Sequence, residues 1–152
     1  MIRLRMLGGI DVWRDDERVE AVLRQPKRFA LLAYLATSSD AALRRRDLVV
    51  AIFWPEADGP RARDSLSAAL SFLRRRLGAD ALLSRGDEEI GVDPRQVRSD
   101  VAEFLDAIEE GRHEEALSLY AGDLLHGFHV PGVPEFEQWL ERERSRIRTL
   151  AV

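Results

Sequence analysis

The residues best suited to chemistry in this chain are arginines set among small hydroxyl side chains. Between positions 61 and 76, Arg61, Asp64, Ala68, Ser71 and Arg75 recur every three or four residues, with Ser67, Phe72, Arg74 and Arg76 beside them. On a helical wheel this is one face and its flanks. Such a face can enter a DNA major groove: Ala68 lets the backbone approach base edges, Ser67 and Ser71 can donate or accept there, and Arg75 has the fork that matches guanine. Arg61, Arg74 and Arg76 have the reach for phosphates. The plainer reading is a solvated charge run, because cations near a helix C-terminus are favoured by the helix dipole. Asp64 opposes an anionic partner on this face, unless it serves the first turn of the helix or accepts from a cytosine amino group. For Phe72, packing against a wing or a following domain is the expectation, in preference to a thymine methyl.

A second cluster, Arg44-Arg45-Arg46, opens an apolar-periodic segment, where positive charge opposes the dipole. A DNA phosphate at Arg44 and Arg45 would offset that cost, and so would Asp47 or Asp40. Arg24 and Lys27 are further candidates for backbone contact.

The elements that must position these side chains are legible from periodicity. Ile2-Leu4-Met6 and Ile10-Val12 predict two strands around Gly8-Gly9, and a further strand is expected within Val19 to Leu23. Pro26 suits the first turn of a helix whose apolar face is Phe29, Leu32, Ala33, Leu35 and Ala36, ending at Ser38-Ser39-Asp40. Ala41 to Arg44 is a link or short strand. A second helix carries Leu48, Val49, Ile52 and Phe53 and stops at Trp54-Pro55, and Pro55 to Pro60 is a loop. The third helix, 61–77, has the stripe Leu66, Leu70, Leu73 and Leu77 opposite its arginines, with Gly78 as C-terminal cap. A β-hairpin then turns at Gly86-Asp87, placing Arg85 and the segment 84–89 where a wing would meet phosphates or the minor groove. Beyond Pro94, two short helices carry Val101, Phe104, Leu105, Ile108 and then Ala116, Leu117, Leu119, Tyr120. A Gly/Pro-rich loop precedes a last helix with Phe136, Trp139, Leu140, Ile147 and Leu150, still periodic at the end, so the fold is expected to continue past Val152.

The 152 residues are 45% hydrophobic and 33% charged, the balance of a globular protein able to bury a core. There is no cysteine, which removes disulfides, thiolate metal sites and thiol nucleophiles. The alternation Met1-Ile2-Arg3-Leu4-Arg5 lacks the apolar run of a signal peptide, and no membrane span is present, so a cytoplasmic location is expected. The net charge of −4 is unevenly shared. Residues 1–97 hold 17 Lys and Arg against 15 Asp and Glu, and residues 98–152 hold 6 against 12. The first part is therefore read as one domain and the second as another, with different partners.

Taken together, Arg28-Phe29-Ala30-Leu31-Leu32-Ala33-Tyr34-Leu35-Ala36, Phe53-Trp54-Pro55-Glu56-Ala57, the run Arg61 to Leu70 and Leu73-Arg74-Arg75-Arg76-Leu77-Gly78 resemble the SARP-type (AfsR-type) transcriptional regulators. Leu119 to Phe128 and Glu135 to Arg144 extend the resemblance over essentially the whole chain. It implies an α+β fold: an OmpR-like winged helix-turn-helix over 1–97, with a small N-terminal antiparallel sheet and a C-terminal wing. The N-terminal part of a helical, tetratricopeptide-like bacterial transcriptional activation domain would follow over 98–152. It further implies sequence-specific binding of double-stranded promoter repeats by 61–77, RNA polymerase as partner of the activation domain, and room for a homodimer on DNA. Arg44 stands where the family commonly has a serine-like cap.

Other chemistry finds little support. His126 and His129 have an i, i+3 spacing with Asp123 as the only close carboxylate, and two ordinary loop histidines are expected in preference to zinc. Gly8-Gly9 lacks the Lys-Ser or Lys-Thr of a phosphate loop. The tripeptide Arg85-Gly86-Asp87 is accounted for by a hairpin turn. No enzyme activity and no cofactor are expected. The competing class is a protein interaction module without DNA recognition, favoured by Asp64, the acidic second half and the modest charge of the first.

Overall fold

In the computed structural model, residues 1–37 and 43–152 are described, so the expected helix stop at Ser38-Ser39-Asp40 and the role considered for Asp40 lie outside the described residues. Alternation of buried and exposed residues makes β1 (Ile2–Arg5) and β2 (Asp11–Arg14) an antiparallel pair, Leu4 opposite Val12. The edge strand β3 (Glu17–Arg18) follows, then α1 (Glu20–Leu23) and α2 (Pro26–Leu35). A strand was expected within Val19 to Leu23, and this is corrected. Val19 ends the sheet by donating its N–H to the Val12 carbonyl at 2.8 Å, and the next four residues close a helical turn through Arg24 N–H to Glu20 O at 3.0 Å. So short an apolar run has no period by which to tell strand from helix.

β4 (Arg44–Arg45) leads into α3 (Arg46–Phe53), and α4 (Gly59–Leu77) is the longest helix. α4 begins inside the segment expected to be loop. Pro60 has no N–H to leave unpaired in a first turn, and the Asp58 carboxylate caps the helix by accepting from Arg61 N–H at 3.0 Å. A 3-10 turn at Ala79–Ala81 connects to the hairpin β5 (Leu82–Arg85) and β6 (Glu89–Val92). β4 joins that hairpin to make a three-stranded sheet, in the order β4-β6-β5.

β7 (Val97–Ser99) pairs in parallel with β1, Ile2 opposite Val97, completing a four-stranded sheet β3-β2-β1-β7. This strand runs across the 97/98 division suggested by charge, and one buried cluster continues from Ile2 to Ile147. α5 (Asp100–Glu109), α6 (His113–Leu119) and α7 (Pro134–Leu150) complete the chain. Among the described residues no helix is long and apolar enough to cross a membrane.

An aromatic seam joins α7 to the earlier helices. Tyr34 of α2 meets Trp139 of α7 at 4.9 Å between ring centroids and Phe53 of α3 at 5.8 Å, both edge-on, and Phe53 meets Phe136 of α7 at 5.3 Å. Pairs of this kind contribute about 0.5–1.5 kcal/mol each beyond the area they bury. α2 is consequently buried without interruption from Phe29 to Leu35.

At the other end of the core, Asp100 joins α5 to the chain just after β1. Its carboxylate accepts the N–H groups of Met6 and Leu7 at 2.8 and 2.9 Å. Burial pushes its pKa up, and these two donors work against the rise. Met6 O accepts from Leu125 N–H at 2.6 Å and Gly8 N–H donates to Asp123 O at 2.9 Å, so the 121–125 loop lies along the same segment. Gly8, at φ +89°, is pressed against it, and a Cβ there would stand 3.0 Å from the Ala121 carbonyl carbon. Arg144 of α7 donates to the Leu124 and Leu125 carbonyls, both at 2.8 Å, satisfying groups the loop leaves unpaired. Asp123 is held by Arg148 at 2.9 and 3.2 Å and accepts from the Tyr120 hydroxyl, and the Arg148 guanidinium foremost keeps its carboxyl below the usual aspartate range.

Asp100→Ala leaves two backbone N–H groups without their acceptor, and a loss of about 1–3 kcal/mol for each is expected in urea unfolding. Asp123→Asn should lower the melting temperature at neutral pH. Because the folded-state pKa is depressed, the contribution is present above the ordinary value of about 3.9 and is lost as pH falls through the folded value. The difference between the two proteins should therefore shrink in acid, in melts recorded from pH 7 downward.

Candidate nucleic-acid interface

α4 divides as its sequence requires. Leu66, Leu70, Leu73 and Leu77 are buried, while Arg61, Arg63, Asp64, Ser67, Ala68, Ser71, Arg75 and Arg76 are exposed. The four residues expected to meet bases, Ser67, Ala68, Ser71 and Arg75, thus share an open face. Asp64 is exposed on it too, but not in the first turn. The helix starts at Gly59 and Asp58 is the cap, so the expected role as N-terminal stabiliser passes from Asp64 to Asp58.

Phe72 is buried, with the Arg28 guanidinium of α2 4.9 Å and that of Arg76 5.7 Å from its ring centre. The expectation of packing is met by its burial, with arginines over its ring. The end of α4 is closed by Gly78 at φ +105°, whose N–H bonds Arg74 O, and by Arg14 of β2, which donates to Arg76 O at 3.4 Å.

Two arginine-to-serine hydrogen bonds tie this face to its neighbours. Arg46, the first residue of α3, donates to Ser67 Oγ at 3.3 Å, and Arg74 donates to Ser84 Oγ of β5 at 3.0 Å. Arg46 also supplies its backbone N–H to Glu88 O at the hairpin tip, at 2.8 Å. The N-cap of α3 is Arg45 and has no side-chain cap, and the hairpin carbonyl satisfies the N–H of the first helical residue. Arg46 was visible in sequence only as the third member of a run, and nothing there distinguished it from Arg44 and Arg45.

Those two part company. Arg45 is exposed and lies 3.8 Å from Asp47. Arg44 turns inward: its guanidinium lies 4.4 Å over the Tyr34 ring, its Nε is buried with no hydrogen-bond partner among the described residues, and it lines a cleft of about 530 Å³ with Trp139, Leu105 and Leu150. It is not grouped with the exposed arginines. Arg61 is 84% exposed and 4.0 Å from Asp58, and Arg85 is 75% exposed at the hairpin tip and 3.3 Å from Glu89 across it. Such exposed pairs hold loosely and can exchange for a phosphate.

Lys27 lies over Trp54 and 3.8 Å from Glu56. His126 and His129 line one cleft, in which His129 Nδ1 is 2.9 Å from Glu137 and Asp123 is engaged by Arg148. Among the described residues no His, Asp and Glu grouping is fit to hold a metal ion.

With known proteins, no family model matches and no curated sequence matches. Among solved structures the chain is similar to Mycobacterium tuberculosis EmbR in complex with a low affinity phosphopeptide, with a TM-score of 0.67 and 19% identity over 98% of this chain. The match covers 43% of the EmbR chain, so this chain spans less than half of that protein's length. At this identity the likeness is one of fold, and the protein has an EmbR-like α+β fold.

Replacing the α4 cap, Asp58→Ala, should cost about 1 kcal/mol. Chemical denaturation checks this, and amide exchange should quicken first at Arg61, whose N–H loses its acceptor.

Proposed function

We propose that the chain is the DNA-binding part of a transcription regulator of the SARP kind, with an OmpR-like winged helix-turn-helix and the beginning of a tetratricopeptide-like activation module. In this reading α3 and α4 form the helix pair, α4 enters the major groove of double-stranded promoter DNA, and the 84–89 hairpin lies on the backbone or in the minor groove. The observation that carries it is the open face of α4, small in the middle and basic at its ends, held to α3 by Arg46–Ser67 and to the hairpin by Arg74–Ser84. A groove reader needs such a rigid mount for its bases-facing side chains. The fold shared with EmbR over nearly the whole chain supports the same assignment.

Ser67, Ala68, Ser71 and Arg75 would meet bases, and Arg45, Arg61, Arg74, Arg76 and Arg85 the backbone. RNA polymerase would be engaged by the helices after residue 98, in the cytoplasm, with two copies on repeated sites. No catalysis belongs to this reading.

The second reading, a protein interaction module, draws on one observation: Asp64 is exposed in the middle of the same face. Binding to a random duplex library at two salt concentrations separates the two. A groove reader selects a sequence and weakens steeply with salt, and flat, salt-insensitive binding favours the interaction module. Once a site is known, Arg75→Ala should cost about 1–3 kcal/mol and relax one position, whereas Arg45→Ala should weaken all sequences alike. Equal and negligible effects would place the DNA surface elsewhere.

A further inference from the structure

The C-terminal end of α4 meets the β2–β3 corner across a cleft of about 300 Å³ whose lining includes Arg14, Arg18, Arg75 and Arg76 against Glu17 and Glu20. The four guanidinium groups are differently engaged. Arg18 is held by Asp11 at 2.5 Å and by Glu20, and Arg76 lies over Phe72. Among the described residues Arg14 has only a long bond to the Arg76 carbonyl, and Arg75 has no ion pair. Two cations from different elements, a strand and a helix, therefore line one cleft without a carboxylate bound to either. Guanidinium forks converging from two sides suit a phosphate oxygen, which accepts several charge-assisted hydrogen bonds at once.

We infer that this cleft takes a phosphate of the DNA backbone, just past the end of α4, and so brings the N-terminal sheet into the interface. The inference rests on the proposed function. Arg75 is the link, since it lines the cleft and also stands on the open face of α4. Arg14 becomes a contact residue that its strand setting concealed.

The test uses the whole 152-residue chain and the duplex it selects, with affinity measured over a series of salt concentrations for the unaltered protein, Arg14→Gln and Arg14→Lys. Arg14→Gln should weaken every duplex by a similar factor, about tenfold, and should reduce the slope of log affinity against log salt by about 0.9. Arg14→Lys should restore most of the slope, and melting temperatures show that the proteins compared are folded. An unchanged slope in folded Arg14→Gln, with the unaltered protein still selecting its site, overturns the cleft and leaves the proposed function standing. Failure of the unaltered protein to bind any duplex overturns both. Titration with inorganic pyrophosphate is the second arm: saturable micromolar binding without DNA, lost in Arg14→Gln, assigns the cleft to a free phosphorylated ligand and overturns the DNA assignment.

Discussion

The arrangement depends on the aromatic seam centred on Tyr34 and Phe53. Tyr34 has Trp139 on one side, Phe53 on another and the Arg44 guanidinium over its face, while Phe53 continues the contact to Phe136. α3 is thereby packed against both α7 and α4. Because interiors are close-packed, a displacement of α7 is felt by α2 and α3, both of which touch α4. Arg46 lies at the start of that same helix, bonded to Ser67 and to the hairpin tip. The acidic C-terminal helices and the basic face of α4 are thus mechanically connected although their charges differ.

Charge counting by segment was informative about composition and less so about surfaces. Several arginines of the acidic half have internal duties: Arg144 holds two loop carbonyls with its side chain 15% exposed, and Arg148 holds Asp123. In the first half, Arg44 is spent on Tyr34 and Arg18 on Asp11 and Glu20. The field that a partner meets comes from what remains, which includes the exposed arginines of α4 and Arg14.

Much of the fold was legible in the sequence where an element was long enough to show a period. The leucine stripe of α4, the Gly86 hairpin and the apolar faces of α5 and α7 are of this kind. What could not be read was set by partners far along the chain. β7 has three residues and gains its identity only from β1, α1 is a single turn, and nothing in the sequence around Phe72 announces that Arg28 of α2 covers its ring. The candidate site shows the same limit. Arg75 and Ser71 follow from helical spacing, but the separate fates of Arg44, Arg45 and Arg46 are decided by strand pairing with β6, the Tyr34 ring and Ser67.

The parallel pairing of β1 with β7 has a consequence for the order in which the chain can assemble. Ile2, Arg3 and Leu4 find their parallel partners only at Val97, Arg98 and Ser99. During synthesis, the first strand pair must therefore wait with one open edge until the helices, the hairpin and the strand beyond them have left the ribosome. Closing so distant a contact is slow compared with helix formation. Hairpins at either end form locally, whereas Asp100, the residue directly after β7, takes the Met6 and Leu7 amides only in the same late step that seals the sheet. The step that seals the sheet is also one that joins the two differently charged halves.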